Sequence, residues 1–405
     1  LGQEDALVRQ TIRKICGVHA SGEIDYPAVF KREITCGATF WREESGMNQR
    51  RWRVAGINFD HFHMGDLLRF TQEHPQADLV GICDSQRERM EGARKNFGLR
   101  DDQIFTDEQA CLAATKPDVV LLCPSAATHA DWVARVAPSG AHLMVEKPFA
   151  ATLAEADRMV AAARAGGGTL AINWPSVWSA SHVYAFELAV RQRLVGKITE
   201  VHTYGGNRGP LYHGADKIEM EPTAEQKAQS WFYKKAEGGG SLLDYLGYGT
   251  TMATWYLEGR APREVSAMTW ATPGLEVDEH CVAVLRYDDG LSTCETRWGT
   301  FTDPWTHQPQ PRCGYVLKGT DGTISSWDYA ETLHVQTREC PQGRDLPVPP
   351  LAAPHQNPIQ HFLHHLETGA PLIGPLTPEI SRLGQQIVDT AVLSAASGRV
   401  ERLVS

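Results

Sequence analysis

Two short runs carry side chains suited to proton transfer at a hydroxyl. One is Glu146-Lys147-Pro148, at the end of a short apolar run. The other is Gly238-Gly239-Gly240-Ser241-Leu242-Leu243-Asp244-Tyr245-Leu246-Gly247-Tyr248. A lysine cation next to a reacting hydroxyl stabilises developing alkoxide and shifts the pKa of its neighbours. Asp244 and Tyr248 are four apart at the start of an expected helix and so share one face. Each has a plainer reading: a solvated lysine after a strand, a helix-capping or first-turn acid, a core tyrosine with its hydroxyl satisfied.

A third run, Val54-Ala55-Gly56-Ile57-Asn58-Phe59-Asp60-His61, has the position of a dinucleotide-binding turn. That turn normally reads G-x-G-x-x-G, for a tight turn, close approach of the backbone to pyrophosphate, and close helix–strand packing. Only Gly56 stands here; Asn58 and His61 hold the other two places. Asn tolerates unusual backbone angles, so a nucleotide turn and a plain βα turn both remain open. Asp84 ends the next strand, where an acid accepts the adenosine ribose hydroxyls and repels a 2′-phosphate, favouring NAD over NADP. Arg87 lies near enough to receive that phosphate instead, and Asp84 or Ser85 also suits a helix N-cap.

A polyhydroxylated ligand needs donors, acceptors and flat apolar faces. Asn173 and Trp174 follow a strand and point at the expected cleft. A Gly-rich stretch holds Asn207, Arg208, His213 and Lys217. Trp174 and Trp231 are candidate stacking platforms, and each equally suits a core. Asp60, His61 and His63 suggest a metal cluster, but on a helix residues two apart face different ways, and no zinc spacing occurs elsewhere. No metal is expected. His361, His364 and His365 read as a solvated helix face.

These residues sit on a regular alternation. Strands are expected at Trp52–Ile57, Leu79–Cys83, Ile104–Phe105, Val119–Cys123, His142–Val145 and Thr169–Ile172. Helices are expected at His61–Thr71, Gln86–Phe97, Thr128–Val136 and Leu153–Arg164. Strands apolar throughout, each followed by a helix, predict a doubly wound parallel sheet, that is, a Rossmann domain over residues 47–172. Beyond Asn173 the rhythm predicts an α+β domain, residues 173–405, with a largely antiparallel sheet. Helices are expected at Ser181–Leu194, within Gly238–Leu257, and at Ile359–Leu366 and Glu379–Ala396. Strands are expected at Ile198–Tyr204 and in hairpins Val282–Tyr287/Leu291–Trp298 and Tyr315–Lys318/Thr323–Trp327, with a Pro-rich loop over Gln342–Pro358. Residues 1–46 lack this rhythm and read as an extension or arm.

The E-K-P run, the GGG-x-x-x-D-x-x-x-Y segment, Cys123-Pro124-Ser125 with His129, and the Ser394-Ala395-x-x-Gly398 ending together resemble the Gfo/Idh/MocA oxidoreductases from about Met47 onward. The resemblance implies NAD(P), a sugar-like or cyclitol substrate and hydride transfer at a carbinol or ketone carbon. It places Lys147 beside the nicotinamide and substrate hydroxyl, with Tyr248 as proton carrier and Asp244 orienting it. It puts the cofactor among Gly56, Asn58, Phe59, His61, Asp84, Arg87, Cys123, Pro124, Ser125, His129, Glu146 and Lys147. Substrate falls among Asn173, Trp174, Arg208, His213 and Trp231. Most members carry His where this chain has Tyr248. A tyrosine's ordinary pKa near 10 is high for a base; Lys147 and the cofactor's charge are expected to lower it. Two rivals are an NAD-requiring glycosidase working by transient oxidation and elimination, and a sugar-binding relative without catalysis.

Composition narrows the classes. The chain has 405 residues, 42% hydrophobic and 22% charged, enough for two domains with sizeable cores. Asp and Glu outnumber Lys and Arg by 49 to 39, which argues against nucleic acid or an anionic membrane as partner. No apolar run reaches transmembrane length, and the start lacks a signal-peptide core. Nine scattered cysteines without a CxxC pair read as reduced thiols in a cytoplasmic protein. The family commonly forms homodimers or homotetramers, and the same is expected here.

Overall fold

The computed structural model describes residues 50–214 and 217–405; the extension expected over residues 1–46 lies outside them. Trp52–Phe59 (β1), Ala77–Cys83 (β2), Ile104–Phe105 (β3), Val119–Cys123 (β4), His142–Glu146 (β5) and Leu170–Asn173 (β6) form one sheet. Its order is β3-β2-β1-β4-β5-β6, and all its pairings are parallel. A run such as Val119–Cys123, buried at every position, has no face to offer water. Helices must therefore cover both sides. They are Met64–Glu73 (α1), Glu91–Asn96 (α2), Glu108–Thr115 (α3), His129–Val136 (α4) and Leu153–Gly166 (α5). One core holds Ile57, Leu122 and Val145 with Val133 and Met159; the other holds Val54, Leu121 and Met144 with Leu67 and Leu68.

Three details depart from the expectation. Helix α1 begins at Met64, not His61. Strand β1 instead runs on to Phe59, pairing with Cys123 across a register shift at Asn58, whose φ is +68°. Helix α3 is an addition to the expected elements; its apolar residues are mostly small and make no strong one-sided stripe, and the Asp107 carboxylate fixes its start by accepting from the Ala110 amide at 2.7 Å. The expected helix over Gln86–Phe97 opens with a 3₁₀ turn, Arg87–Met90, before α2.

The second sheet has nine strands: Ile198–Asn207 (β7), Glu264–Trp270 (β8), His280–Arg286 (β9), Leu291–Trp298 (β10), Gly314–Gly319 (β11), Gly322–Trp327 (β12), Thr332–Thr337 (β13), Arg344–Pro347 (β14) and Glu401–Arg402 (β15). Their order is β14-β13-β12-β11-β7-β10-β9-β8-β15. Of the pairings, β7–β10 is parallel and the rest are antiparallel. Strand β14 lies inside the stretch that composition marks as a loop. It is an edge strand, where proline is tolerated.

Ala180–Phe186 (α6) continues into a π-helical turn, Glu187–Arg191. Ala224–Gln229 (α7), Leu246–Tyr256 (α8), Pro358–Thr368 (α9) and Pro378–Ser397 (α10) are the further α-helices of the described residues, and His361 of α9 is buried rather than on a solvated face. Helix α8 is buried along nearly its whole length, between α10 and strands β7 and β10. It therefore carries its N-terminal turn to the ends of β5 and β6. Among the described residues no helix is long and apolar enough to cross a membrane, and all seven described cysteines are free and buried.

Candidate active site

The three consecutive glycines ahead of α8 have separate steric causes. Gly238 and Gly240 have φ of +85° and +101°, in the left-handed region. At Gly239 a Cβ would lie 2.4 Å from the Phe232 carbonyl oxygen and 2.5 Å from that of Trp231. The chain then forms a π-helical turn, Ser241–Tyr245, and α8. This brings Asp244 against Lys147 at the end of β5. Lys147 Nζ donates to Asp244 Oδ1 at 2.9 Å, and the two residues are 4% and 2% exposed. A solvated lysine is thereby ruled out. Burial pushes the Asp244 carboxyl up, against the pull of the Lys147 cation.

Tyr248 lies one turn further on. Lys147 Nζ is 5.4 Å from its ring centroid, and Trp174 packs edge-on against it at 5.3 Å. Burial pushes the Tyr248 hydroxyl well above its ordinary value, and the Glu146 and Asp244 carboxylates add to this. The expected lowering by Lys147 is not seen here: its charge is taken up by Asp244, and desolvation dominates.

Lys147, Asn173, Asp244 and Tyr248 line a cavity of about 720 Å³ together with His61, His63, Asn207, His213 and Lys217. Asn173 Nδ2 donates to Glu146 Oε2 at 2.8 Å. His213 stands edge-on to Trp305 and Phe62. Lys217 Nζ lies 3.0 Å from the Tyr329 hydroxyl. The aromatic wall comes from residues the sequence did not mark: Phe62, Trp178, Tyr204, Phe232, Trp298, Trp305 and Tyr329. They lie in a turn, in strands and in loops without shared spacing. Asp328, beside Tyr329, also faces the cavity, with its carboxyl pushed up to about 6 by burial.

Several expected ligand residues serve other ends. Trp174 is core: its indole donates to Ser381 Oγ at 2.8 Å, and it backs Tyr248. Trp231 stacks on Phe232 at 4.0 Å and donates to the Asp60 carbonyl at 3.1 Å, tying the second sheet's loops to the end of β1. Neither lines the cavity. Arg208 is drawn away by Glu219 and Glu221. His129 is wholly buried, with both ring nitrogens 3.1 Å from the Phe149 and Pro124 carbonyl oxygens; it holds backbone. The Cys123 side chain is also wholly buried, and its carbonyl accepts from the His61 amide at 3.0 Å. Arg87 pairs with Asp101. The arginine that reaches Asp84 is Arg89, bridging Asp60 and Asp84.

A dinucleotide can be tested against the ends of β1, β2 and β4. Gly56 lets α1 pack closely on β1: a Cβ there would sit 2.9 Å from both Leu68 and Met64 side-chain ends, which would have to shift. Asn58 takes the left-handed conformation that the turn demands, and its Oδ1 accepts from the Asp60 amide at 2.8 Å. Asp84 is held by the Phe59 and Gln86 amides, each at 2.8 Å. Each carboxylate oxygen thus has one such bond and keeps a further lone pair for a ribose hydroxyl. The Ser125 amide and Arg89 supply donors between Asp84 and Lys147, both turned toward Asp60. Asp84 and the turn after β1 fit the adenosine ribose end of NAD.

His61 and His63 lie in the turn before α1, not on it. Their ring centroids are 4.4 Å apart, so the argument that they face different ways falls.

Comparison with known proteins agrees with this geometry. Residues 50–174 match the model of the oxidoreductase family with an NAD-binding Rossmann fold, and residues 187–325 match the GFO/IDH/MocA C-terminal domain. The chain is 32% identical over 341 residues to D-apiose dehydrogenase of Paraburkholderia graminis, covering 81% of this chain and 84% of that protein. It is 34% identical over 200 residues to D-glucoside 3-dehydrogenase of Escherichia coli, 49% of this chain and 52% of that one. GenD2 from gentamicin A biosynthesis, solved in complex with NAD, shares the fold with a TM-score of 0.68 at 22% identity, over 90% of this chain and 99% of its own. With a parallel nucleotide-binding sheet, a mainly antiparallel second sheet and a buried Lys–Asp pair where they meet, the chain belongs to the GFO/IDH/MocA family of NAD-dependent oxidoreductases.

Proposed function

We propose that the protein is a dehydrogenase or reductase acting on one carbinol or ketone carbon of a sugar, glycoside or cyclitol. The observation that carries this is the buried Lys147–Asp244 pair with Tyr248 one turn away, on the wall of a 720 Å³ cavity. Bound NAD supplies the hydride chemistry. Lys147 holds the reacting hydroxyl by donating to it and stabilises negative charge on its oxygen. Asp244 fixes the lysine. Tyr248 carries the hydroxyl proton. Asn173, Asn207 and His213 offer donors and acceptors to further hydroxyls, and the aromatic wall offers stacking faces. Asp84, buried at the end of β2 where the adenosine ribose would lie, favours NAD over NADP.

The dehydrogenase names of the relatives support hydride transfer over bond cleavage by elimination and over ligand binding alone. We further propose a division between nucleotide and substrate domains near residues 172 and 173, a cytoplasmic location and a homodimer or homotetramer. Met268 and Trp270 of β8, 78% and 56% exposed, give an apolar strand face for association; light scattering reads the size. The main test offers NAD⁺ and NADP⁺ to the purified chain with monosaccharides, glycosides and inositols, following reduced nicotinamide. NAD⁺-dependent oxidation of one such class is expected. Failure to bind either nucleotide, or cleavage of a glycoside without net reduction, would overturn the reading.

A further inference from the structure

We propose that His61, His63 and Glu146 bind one divalent cation of the zinc class, where the turn ahead of α1 meets the end of β5. One ring nitrogen of each imidazole and one Glu146 oxygen lie within 4.8 Å of one another. His63 Nδ1 is already 2.7 Å from Glu146 Oε1. His61 is 1% exposed, and its Nε2 has no hydrogen-bond partner among the described residues. A buried polar atom left unpaired costs free energy, and a ligand there removes the cost. The bond that holds His61 Nδ1, from the His63 amide, is long at 3.2 Å, so its loss to an ion costs little.

The donor set is the one zinc takes where it keeps a fourth position open: two imidazoles and a carboxylate. Donors about 2.0–2.1 Å from a tetrahedral ion stand roughly 3.4 Å apart. Side-chain movements on the order of 1 Å therefore close the set. A supporting layer is present, as metal ligands require. Glu146 Oε2 accepts from Asn173 Nδ2 at 2.8 Å, and Asn173 Oδ1 accepts from Trp178 Nε1 at 3.4 Å. Both histidines line the main cavity, which gives an entry path and a side from which a fourth ligand can come. The nearest cation, Lys147, is paired with Asp244, and Glu146 Oε1 faces the imidazoles instead.

The test uses the full chain stripped with a chelator. It is titrated with zinc chloride by calorimetry and with cobalt chloride by visible absorption, without nucleotide or sugar, so that its outcome is separate from that of the dehydrogenase reading. One equivalent of zinc is expected, with a raised unfolding temperature and the intense cobalt band of a tetrahedral site. His61→Gln and His63→Ala should each weaken zinc binding at least 10-fold and abolish the temperature shift, while Asn173→Ala weakens it about 10-fold. Metal-free unfolding curves check that each variant folds. If His61→Gln does not fold, the partly exposed His63 and the buried Asn173 decide. Absence of zinc uptake by the wild-type chain, or uptake unchanged in His63→Ala and Asn173→Ala, overturns the proposal.

Discussion

A buried ion pair is weak evidence of stability but costly to break on one side. Lys147 and Asp244 are such a pair. Asp244→Ala should cost about 3–5 kcal/mol, because it leaves the Lys147 cation buried and alone. The double change Lys147→Met with Asp244→Leu should recover most of that loss, and urea unfolding of the three proteins compares them. For activity, Lys147→Ala should abolish turnover while the protein stays folded and still binds NAD, and Tyr248→Phe should lower kcat about 10²-fold or more. A near-normal rate for the latter would return Tyr248 to the core. Burial keeps the Tyr248 hydroxyl protonated through neutral pH. A proton donor for ketone reduction is then always present, whereas the base needed for alcohol oxidation is scarce. Oxidation should therefore accelerate as pH rises and reduction should not, as pH profiles of kcat/KM in both directions will show. At this scale the placement of Lys147, Asp244, Tyr248 and Asn173 on the cavity wall is legible, because strand ends and helix starts fix where a side chain points. The partners of Trp174, Trp231 and Arg208 are not legible, because aromatic and charged types do not reveal them, and for both tryptophans the core reading is the one the structure takes up. Ser381, the Asp60 carbonyl, Glu219 and Glu221 claim these three side chains from far along the chain or across a loop.

At the scale of elements, the parallel sheet was readable strand by strand, since fully buried runs leave one reading. The strands at the margins of the second sheet were not: β8, β13 and β14 are half exposed or proline-bounded, and pairing rather than composition makes them strands. The start of α1 was missed for a related reason. His61-Phe62-His63 has helical periodicity, but β1 keeps pairing with β4 as far as Phe59 and draws the turn forward. Losing that one turn of helix is what puts His61 and His63 side by side. The glycine run ahead of α8 shows the opposite case, in which residue type states the geometry. Gly239→Ala should destabilise by about 3 kcal/mol, because the two carbonyl oxygens in its way belong to the Trp231–Tyr233 turn, which is itself packed into a buried aromatic cluster. Activity at low temperature should fall with it, since the same turn sets the N-terminus of α8 against Lys147. A variant with an unchanged urea midpoint would show that this turn yields easily.

For the whole molecule, buried histidines decide how stability depends on pH. Burial lowers His182 to about 4 and His361 to about 3 from an ordinary 6.5, and pushes His61 and His129 down as well. In the unfolded chain each takes a proton near pH 6.5; in the folded protein it does so only much lower. Between those limits the unfolded state binds more protons, so each histidine contributes stability that is complete above pH 6.5 and is lost as pH falls toward the folded value. Burial raises five carboxyls among the described residues, Asp244, Asp278, Asp303, Asp328 and Asp389, and these act in the other sense. Asp278 and Asp328 rise to about 6 from 3.8, so the folded state binds more protons there and stability increases as pH drops from about 6 to 4. Among the described residues seven histidines are lowered in all, and the fall at His182 and His361 is larger than the rise at Asp278 and Asp328, so the loss from the histidines prevails. The urea midpoint should hold steady from pH 8 to 7 and fall between 6.5 and 4, by several kcal/mol in total. His361 has a clear structural share in this: its Nε2 accepts from the Ile373 amide at 2.9 Å and its Nδ1 meets His355 Nδ1 at 2.8 Å, contacts that favour the neutral ring. His361→Gln should cost stability at pH 8 yet flatten the acid limb by close to one proton. A limb equally steep in that variant would move the acid sensitivity to the histidines at the cavity, and zinc held by His61 and His63 would then suppress it.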